Sequence, residues 1–151
     1  MPADEPLEAR GIVMGEREVE ELLGEQGHGT LSLVRDGDAY GVPVSFGYDG
    51  ERLFLYLIQF GDSGRKFDFM ETTETACLTT YTAESKFKWK SAIVTGSLRD
   101  IDDDEVEYME SVMDDNAWFP GIFPPTEAVT GVRRMEMDVG EATGRKGVDY
   151  Q

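Results

Sequence analysis

The chain has 151 residues, 40% hydrophobic and 30% charged, a composition and length that fit one globular domain spanning residues 1–151. Its 31 acids against 14 bases leave a net charge of −17, which excludes general nucleic-acid binding, since that needs a basic surface. No apolar run approaches the roughly 20 residues of a membrane span, and a single cysteine, Cys77, excludes an internal disulfide.

Residues 1–12 hold Pro2, Pro6 and many charges and read as a loose N-terminal segment. The opening MPADEPLEAR lacks the basic and then apolar start of a signal peptide, so a cytoplasmic protein is expected. The acids are spread along the whole chain and not gathered in one tail. That pattern favours a salt-loaded cytoplasm, hence a halophilic source, over a single basic partner. Salt at about 1 M shortens the Debye length to about 3 Å and relieves the self-repulsion.

GEREVEELLGEQGHG predicts a short helix. Val19, Leu22 and Leu23 share one face, acids fill its first turns, and Gly24 and Gly27 supply the stop. Three strands follow, Thr30–Val34, Ala39–Phe46 and Leu53–Ile58, separated by RDGD and YDGE. Asp-Gly between apolar runs is a strong hairpin signal, so these strands form an antiparallel meander. Asp62 or Ser63 can cap a short helix beginning near Gly64.

Two more strands are read at Ala76–Thr82 and Ser91–Ile101. Cys77 lies in the β-prone TACLTTY and reads as a buried structural thiol. DDDEVEYMESVMDDNAW predicts a helix with acids at its N-terminus and Val106, Met109, Val112 and Met113 as its core stripe. Pro120, Gly121, Pro124 and Pro125 make residues 119–128 a loop, and a last strand covers Gly131–Val139 before a basic, then polar, tail. Six or so hairpin-linked strands with few helices suggest a small closed barrel or a sandwich.

The chemistry-bearing residues are sparse. No Cys/His cluster is present, so no metal site is expected. The one histidine, His28, lies between two glycines and reads as a turn residue. No nucleophile elbow, P-loop or dinucleotide fingerprint occurs. The rare bases say more. Arg65 and Lys66 follow DSG at a predicted helix start, where free N–H groups and the positive dipole end suit a phosphate. Lys86, Lys88 and Lys90 alternate around Trp89 in KFKWK, and Arg145 and Lys146 lie in TGRKG. Each island could instead be surface charge paired with nearby acids.

The ordered set HGTLSLV, YGVPVSFGYDGERLFLYL, GRKFDFM, TACLTTY, KWKSAIVTGSL and TGRKG resembles the split-barrel flavin-binding proteins related to pyridoxamine 5′-phosphate oxidase. The likeness runs over roughly residues 12–146. It implies a mainly β fold with a few helices, a six-stranded antiparallel split barrel. It also implies a homodimer with flavin mononucleotide (FMN) in clefts between the subunits. Carried over, Pro43, Val44 and Ser45 would lie along the isoalloxazine edge, and Leu57, Ile58 and Gln59 would continue that wall. Arg65 and Lys66 would hold the phosphate. Trp89 and Ser91 would reach the phosphate or ribityl chain, and Arg145 would close the site from its own or the other subunit.

Two departures limit the likeness. The family oxidase has a further C-terminal segment carrying substrate-binding residues, whereas this chain stops at Gln151, so pyridoxal phosphate synthesis is not implied. Some shorter relatives have a histidine where Ile58 stands. The resemblance therefore implies a flavin-dependent oxidoreductase acting on an unidentified small-molecule electron donor or acceptor. The alternatives are a non-catalytic flavin-binding or sensing protein and a dimer whose flavin site has decayed.

Overall fold

The computed structural model describes residues 11–60, 65–116 and 129–150. Seven strands and three helices follow one another: β1 (Ile12–Val13), α1 (Glu16–Gln26), β2 (His28–Arg35), β3 (Asp38–Tyr48), β4 (Leu53–Phe60), α2 (Arg65–Thr72), β5 (Ala76–Ser85), β6 (Lys88–Asp100), α3 (Val106–Asn116) and β7 (Val129–Lys146). Single 3-10 turns cover Asp103–Glu105 and Val148–Tyr150.

The antiparallel sheet runs β1-β7-β4-β3-β2-β5-β6, and β6 pairs back onto β7. Six strands thus close a barrel, as expected, and the short β1 is added on β7. The β2–β3–β4 meander is built by its turns. Asp36 and Gly37 both take positive φ, 49° and 83°, the backbone of a tight hairpin that matches strand twist. At the next turn the Asp49 carboxylate accepts from the amides of Glu51 and Arg52 at 2.8 and 2.7 Å.

Alternation sorts the side chains. Leu31, Leu33, Val44, Phe46, Leu55, Leu57, Leu78, Val94, Met135 and Met137 fill the barrel, together with Val19, Leu22 and Leu23 of α1. Phe54 faces the other way and forms a second cluster with Met109, Val112 and Met113 of α3. Burying each such side chain contributes about 1.5–3 kcal/mol.

Several boundaries differ from the sequence reading. Helix α1 runs through Gly24 and stops only at the left-handed Gly27, φ 68°. Val106 is only half-buried. Strand β6 starts at Lys88, so part of KFKWK is strand. The largest difference is β7, which extends to Lys146 and takes Arg145 out of any tail. Its length has a cause: its first part pairs with β4 and its later part with β6. The anticipated caps Asp62 and Ser63 and the 119–128 loop lie outside the described residues.

Candidate functional site

The barrel opens between β3 and β4. Strand β3 pairs with β2 from Asp38 to Ser45, but with β4 only at Phe46, Gly47 and Tyr48. On its other edge β4 stays paired with β7 along its whole length, from Leu53 to Phe60. Pro43, Val44 and Ser45 therefore lie on one lip of the parting, and Leu57, Ile58 and Gln59 on the other.

The Phe46 amide donates to Gly27, on the β2 side, at 3.0 Å. Alternation then turns the peptide groups of Ser45 and Pro43 toward the parting. Proline suits that position because no partner strand there needs its N–H. The side chains divide. Val44 and Leu57 are 4% and 1% exposed and belong to the core, so they can offer only backbone to a ligand. Pro43 is exposed, while Ser45 and Ile58 are half-buried.

Helix α2 begins at Arg65, and Lys66 follows in its first turn. Its body is fastened to the barrel. Phe69 packs on Tyr40 with ring centres 5.2 Å apart. Thr72 and Thr73 both donate to the Val34 carbonyl, and Thr73 accepts from the Val34 amide at 3.0 Å. The second half of α2 is thus held against the β2–β3 hairpin.

The remaining expected residues sit elsewhere. Ser91 pairs with Tyr81 on one side and Arg145 on the other. The half-buried Trp89 lies against bare backbone: a Cβ built on Gly11 would fall 2.7 Å from its ring, and one on Gly147 3.0 Å from Nε1. Gln59 is opposite Gly131 on β7, and Arg145 is opposite Ser91. About 45 Å of strand separates those two rows of β7, at roughly 3.3 Å per residue. Gln59 and Arg145 thus pair with opposite ends of the sheet's longest strand.

Among the bases of KFKWK and TGRKG, Lys88 meets Glu84 at 3.0 Å and Lys146 meets Glu18 at 2.6 Å. Lys90 lies 4.4 Å from the Tyr150 ring centre. For Lys88 and Lys146 the ordinary pairing with acids describes what is seen.

The outer face of β3, β2, β5, β6 and β7 is chemically distinct. One cross-strand row reads Pro43, Thr30, Thr79, Ile93, Thr143, and the next Gly41, Ser32, Cys77, Thr95, Glu141. Toward the other end lie Ser45 with His28, and Tyr81 with Ser91 and Arg145. Formal charges enter these rows only on β7. Tyr81 is 67% and Ile93 47% exposed. For a chain of net charge −17, the β3, β2, β5 and β6 part of these rows is uncharged, with large side chains left uncovered.

Two sequence expectations are corrected here. Cys77 is half-buried on this face, not in the core, because its buried neighbours Ala76 and Leu78 point inward. His28 is the first residue of β2, paired with Ser45, and not a turn residue. Gly27 is the stop of α1, and Gly29 must be bare because a Cβ would lie 2.5 Å from the Thr79 carbonyl oxygen.

The sequence reading missed a charge network under α3. Arg52 donates twice to Glu136, at 3.0 and 2.7 Å, and also to Glu105; Arg99 donates to Glu136 as well. Arg52 stacks over Phe54 at 4.7 Å. The Arg52 hydrogen bonds hold the Glu136 carboxyl below its ordinary range. No local pattern could have paired residues from four separate segments. Asp102, Asp104 and Glu105 bring carboxylate oxygens within 4.8 Å of one another, but Arg52 and Arg99 already engage Glu105.

Comparison with known proteins adds four findings. A family model described as pyridoxamine 5′-phosphate oxidase matches residues 15–146. An uncharacterized protein of Rhizobium meliloti is 27% identical over 146 residues, covering 88% of this chain and 93% of that protein. Among solved structures, an FAD-binding protein from Mesorhizobium loti aligns with TM-score 0.67 and 19% identity over 88% of this chain and 95% of its own. An FAD-binding protein from Mycobacterium smegmatis aligns with TM-score 0.66 and 13% identity, over 89% and 97%. Both structural likenesses concern the fold.

Proposed function

This chain belongs to the pyridoxamine 5′-phosphate oxidase family, and on that premise we propose that it is an FMN-binding homodimer acting as a flavin-dependent oxidoreductase. The observation that carries this reading is the parting of β3 from β4; Arg65 and Lys66, in the first turn of the helix that follows β4 in the chain, support it. The lips of the parting are backbone and small or apolar side chains, suited to a flat ring. The first turn of that helix would offer amide groups and two bases to a phosphate. The structural relatives described as FAD-binding support a flavin in this fold.

Pro43, Ser45 and Ile58 would bound the ring, with Val44 and Leu57 contributing backbone alone. Arg65 and Lys66 would take the phosphate. Ser91 and Arg145 pair with each other at the far end of β7 from Gln59, and we assign the part of Trp89, Ser91 and Arg145 in the site to a second copy. The uncharged face provides the surface on which that copy would sit. When bound, the flavin supplies two-electron redox chemistry, and the protein supplies position and electrostatics. The excess of acids fits a protein working in high salt.

The test uses protein purified in high salt. Lys66→Ala should weaken FMN by about tenfold or more, from the loss of one charge-assisted contact, and leave riboflavin binding unchanged. Equal losses for both would overturn the phosphate assignment. Mass spectrometry of the released cofactor separates FMN from FAD. Bleaching of the bound flavin by NADH, NADPH or a reduced deazaflavin, with recovery in air, supports the oxidoreductase. Failure with every donor would leave a flavin-binding protein without turnover.

A further inference from the structure

Strand β7 has a second irregularity, on the edge away from β6. It loses β4 after Met137 and gains β1 only at Arg145. Over Val139–Gly144 that edge faces a cavity of about 590 Å³, bounded across from it by α1 and the β3–β4 turn. The volume lies within the roughly 300–1,000 Å³ usual for small-molecule sites. The cavity is separate from the β3–β4 parting. Ala142 lines it, and the partner of Ala142 across the sheet is the core residue Val94, not the outward Ile93.

Its walls have two kinds of chemistry. Met14, Val19 and Leu23 give an apolar floor, and Tyr48 an aromatic side. Glu16, Glu20, Glu51 and Glu141 stand around it, and no lysine or arginine is among its described lining residues. The acids act together on the site. Burial, then the charges of Glu20, Asp49, Glu16 and Glu51, raise the Tyr48 hydroxyl above its ordinary range. That hydroxyl donates to the Gly50 carbonyl at 2.9 Å, which fixes the ring against the turn.

We infer that this cavity binds a small organic cation: an amine whose ammonium meets the carboxylates while its apolar body covers Met14, Val19 and Leu23. A phosphate-bearing ligand is repelled by the same carboxylates, so the cavity is not a second flavin site. The ammonium also has an aromatic face within reach at Tyr48.

The probe is dansylcadaverine, a primary alkylamine carrying an aromatic fluorophore. It is titrated into the full chain at a salt concentration where circular dichroism shows the native fold. Saturable binding at one site per chain, lost when the amine is acetylated, is the expected result. Glu20→Gln with Glu51→Gln should weaken it about three- to tenfold, as two exposed charge contacts allow, without moving the thermal midpoint by more than a few degrees. Ala142→Trp should abolish it by filling the cavity. Asp102→Asn with Asp104→Asn, which removes two exposed charges that do not line the cavity, should have no effect. Absence of saturable binding, equal binding of the acetylated probe, or equal weakening by the Asp102/Asp104 pair would each overturn the inference.

Discussion

Two stretches of the barrel's outer surface share one pleat and carry opposite chemistry. Under α3, the row Phe54, Glu136, Arg99 is covered by the chain itself. Its charges are matched by Arg52 and Glu105, and its aromatic ring by Met109, Val112 and Met113. Across β2, β5 and β6 no helix of the chain is described over the strands, charges give way to serine, threonine and glycine, and Tyr81 and Ile93 remain exposed. A surface sealed by its own chain can carry charge, because it brings the counter-charge with it. A surface kept for something else avoids charge, since an unmatched charge buried there would be costly.

The contrast can be broken from either side. The largest effect is expected from Ile93→Asp, which leaves the monomer folded but places a carboxylate in the uncharged face. In the proposed homodimer it should raise the dissociation constant by about a hundredfold or more and release the proposed flavin, read by sedimentation and absorbance. An unchanged, flavin-loaded dimer would move the interface elsewhere.

Next is Glu136→Gln on the sealed side, expected to lower unfolding stability by about 2–3 kcal/mol in urea titrations. The pH dependence has a definite sign. The folded carboxyl ionises below the ordinary glutamate value of about 4.3, so its stabilisation is present above that value and lost as pH falls through the folded one. The gap between native protein and variant should therefore close in acid. A gap that widens there would contradict the assigned pairing.

A smaller, roughly tenfold effect tests the proposed two-subunit cleft. Lys66→Ala and Arg145→Ala should each weaken FMN. Mixed dimers of the two should regain some full-affinity sites, because each contains one intact pair. No recovery would place Lys66 and Arg145 in the same subunit's site. The smallest change is expected for His28→Ala, within about twofold in flavin affinity, as for exposed substitutions in general. A large loss would draw the only histidine into the cleft beside Ser45.

Much of this was legible in local sequence. The meander from β2 to β4 follows from its Asp-Gly turns, and both long helices from their apolar stripes. Arg65 at a helix start was readable from the capping residues Asp62 and Ser63 before it. Whatever depends on side-chain parity or on distant partners was not. Cys77 sits among apolar neighbours, yet the alternation that buries Ala76 and Leu78 turns it outward. GEATGRK at the end of β7 has no apolar alternation, because one edge faces a cavity and one face is bare, so it reads as tail. Arg52, Arg99, Glu105 and Glu136 meet only after the barrel closes.

That closure rests on β7. Its first half completes the ladder of β4 and its second half that of β6, two strands otherwise joined only the long way round, through β3, β2 and β5. During synthesis residues 129–146 emerge after every other barrel strand. Until they dock, β4 and β6 each expose an open edge, the kind of surface that recruits foreign strands. The time at which this chain is most prone to aggregate is thus set by the arrival of one strand, and the long sequence separations it spans make that the slow step of folding.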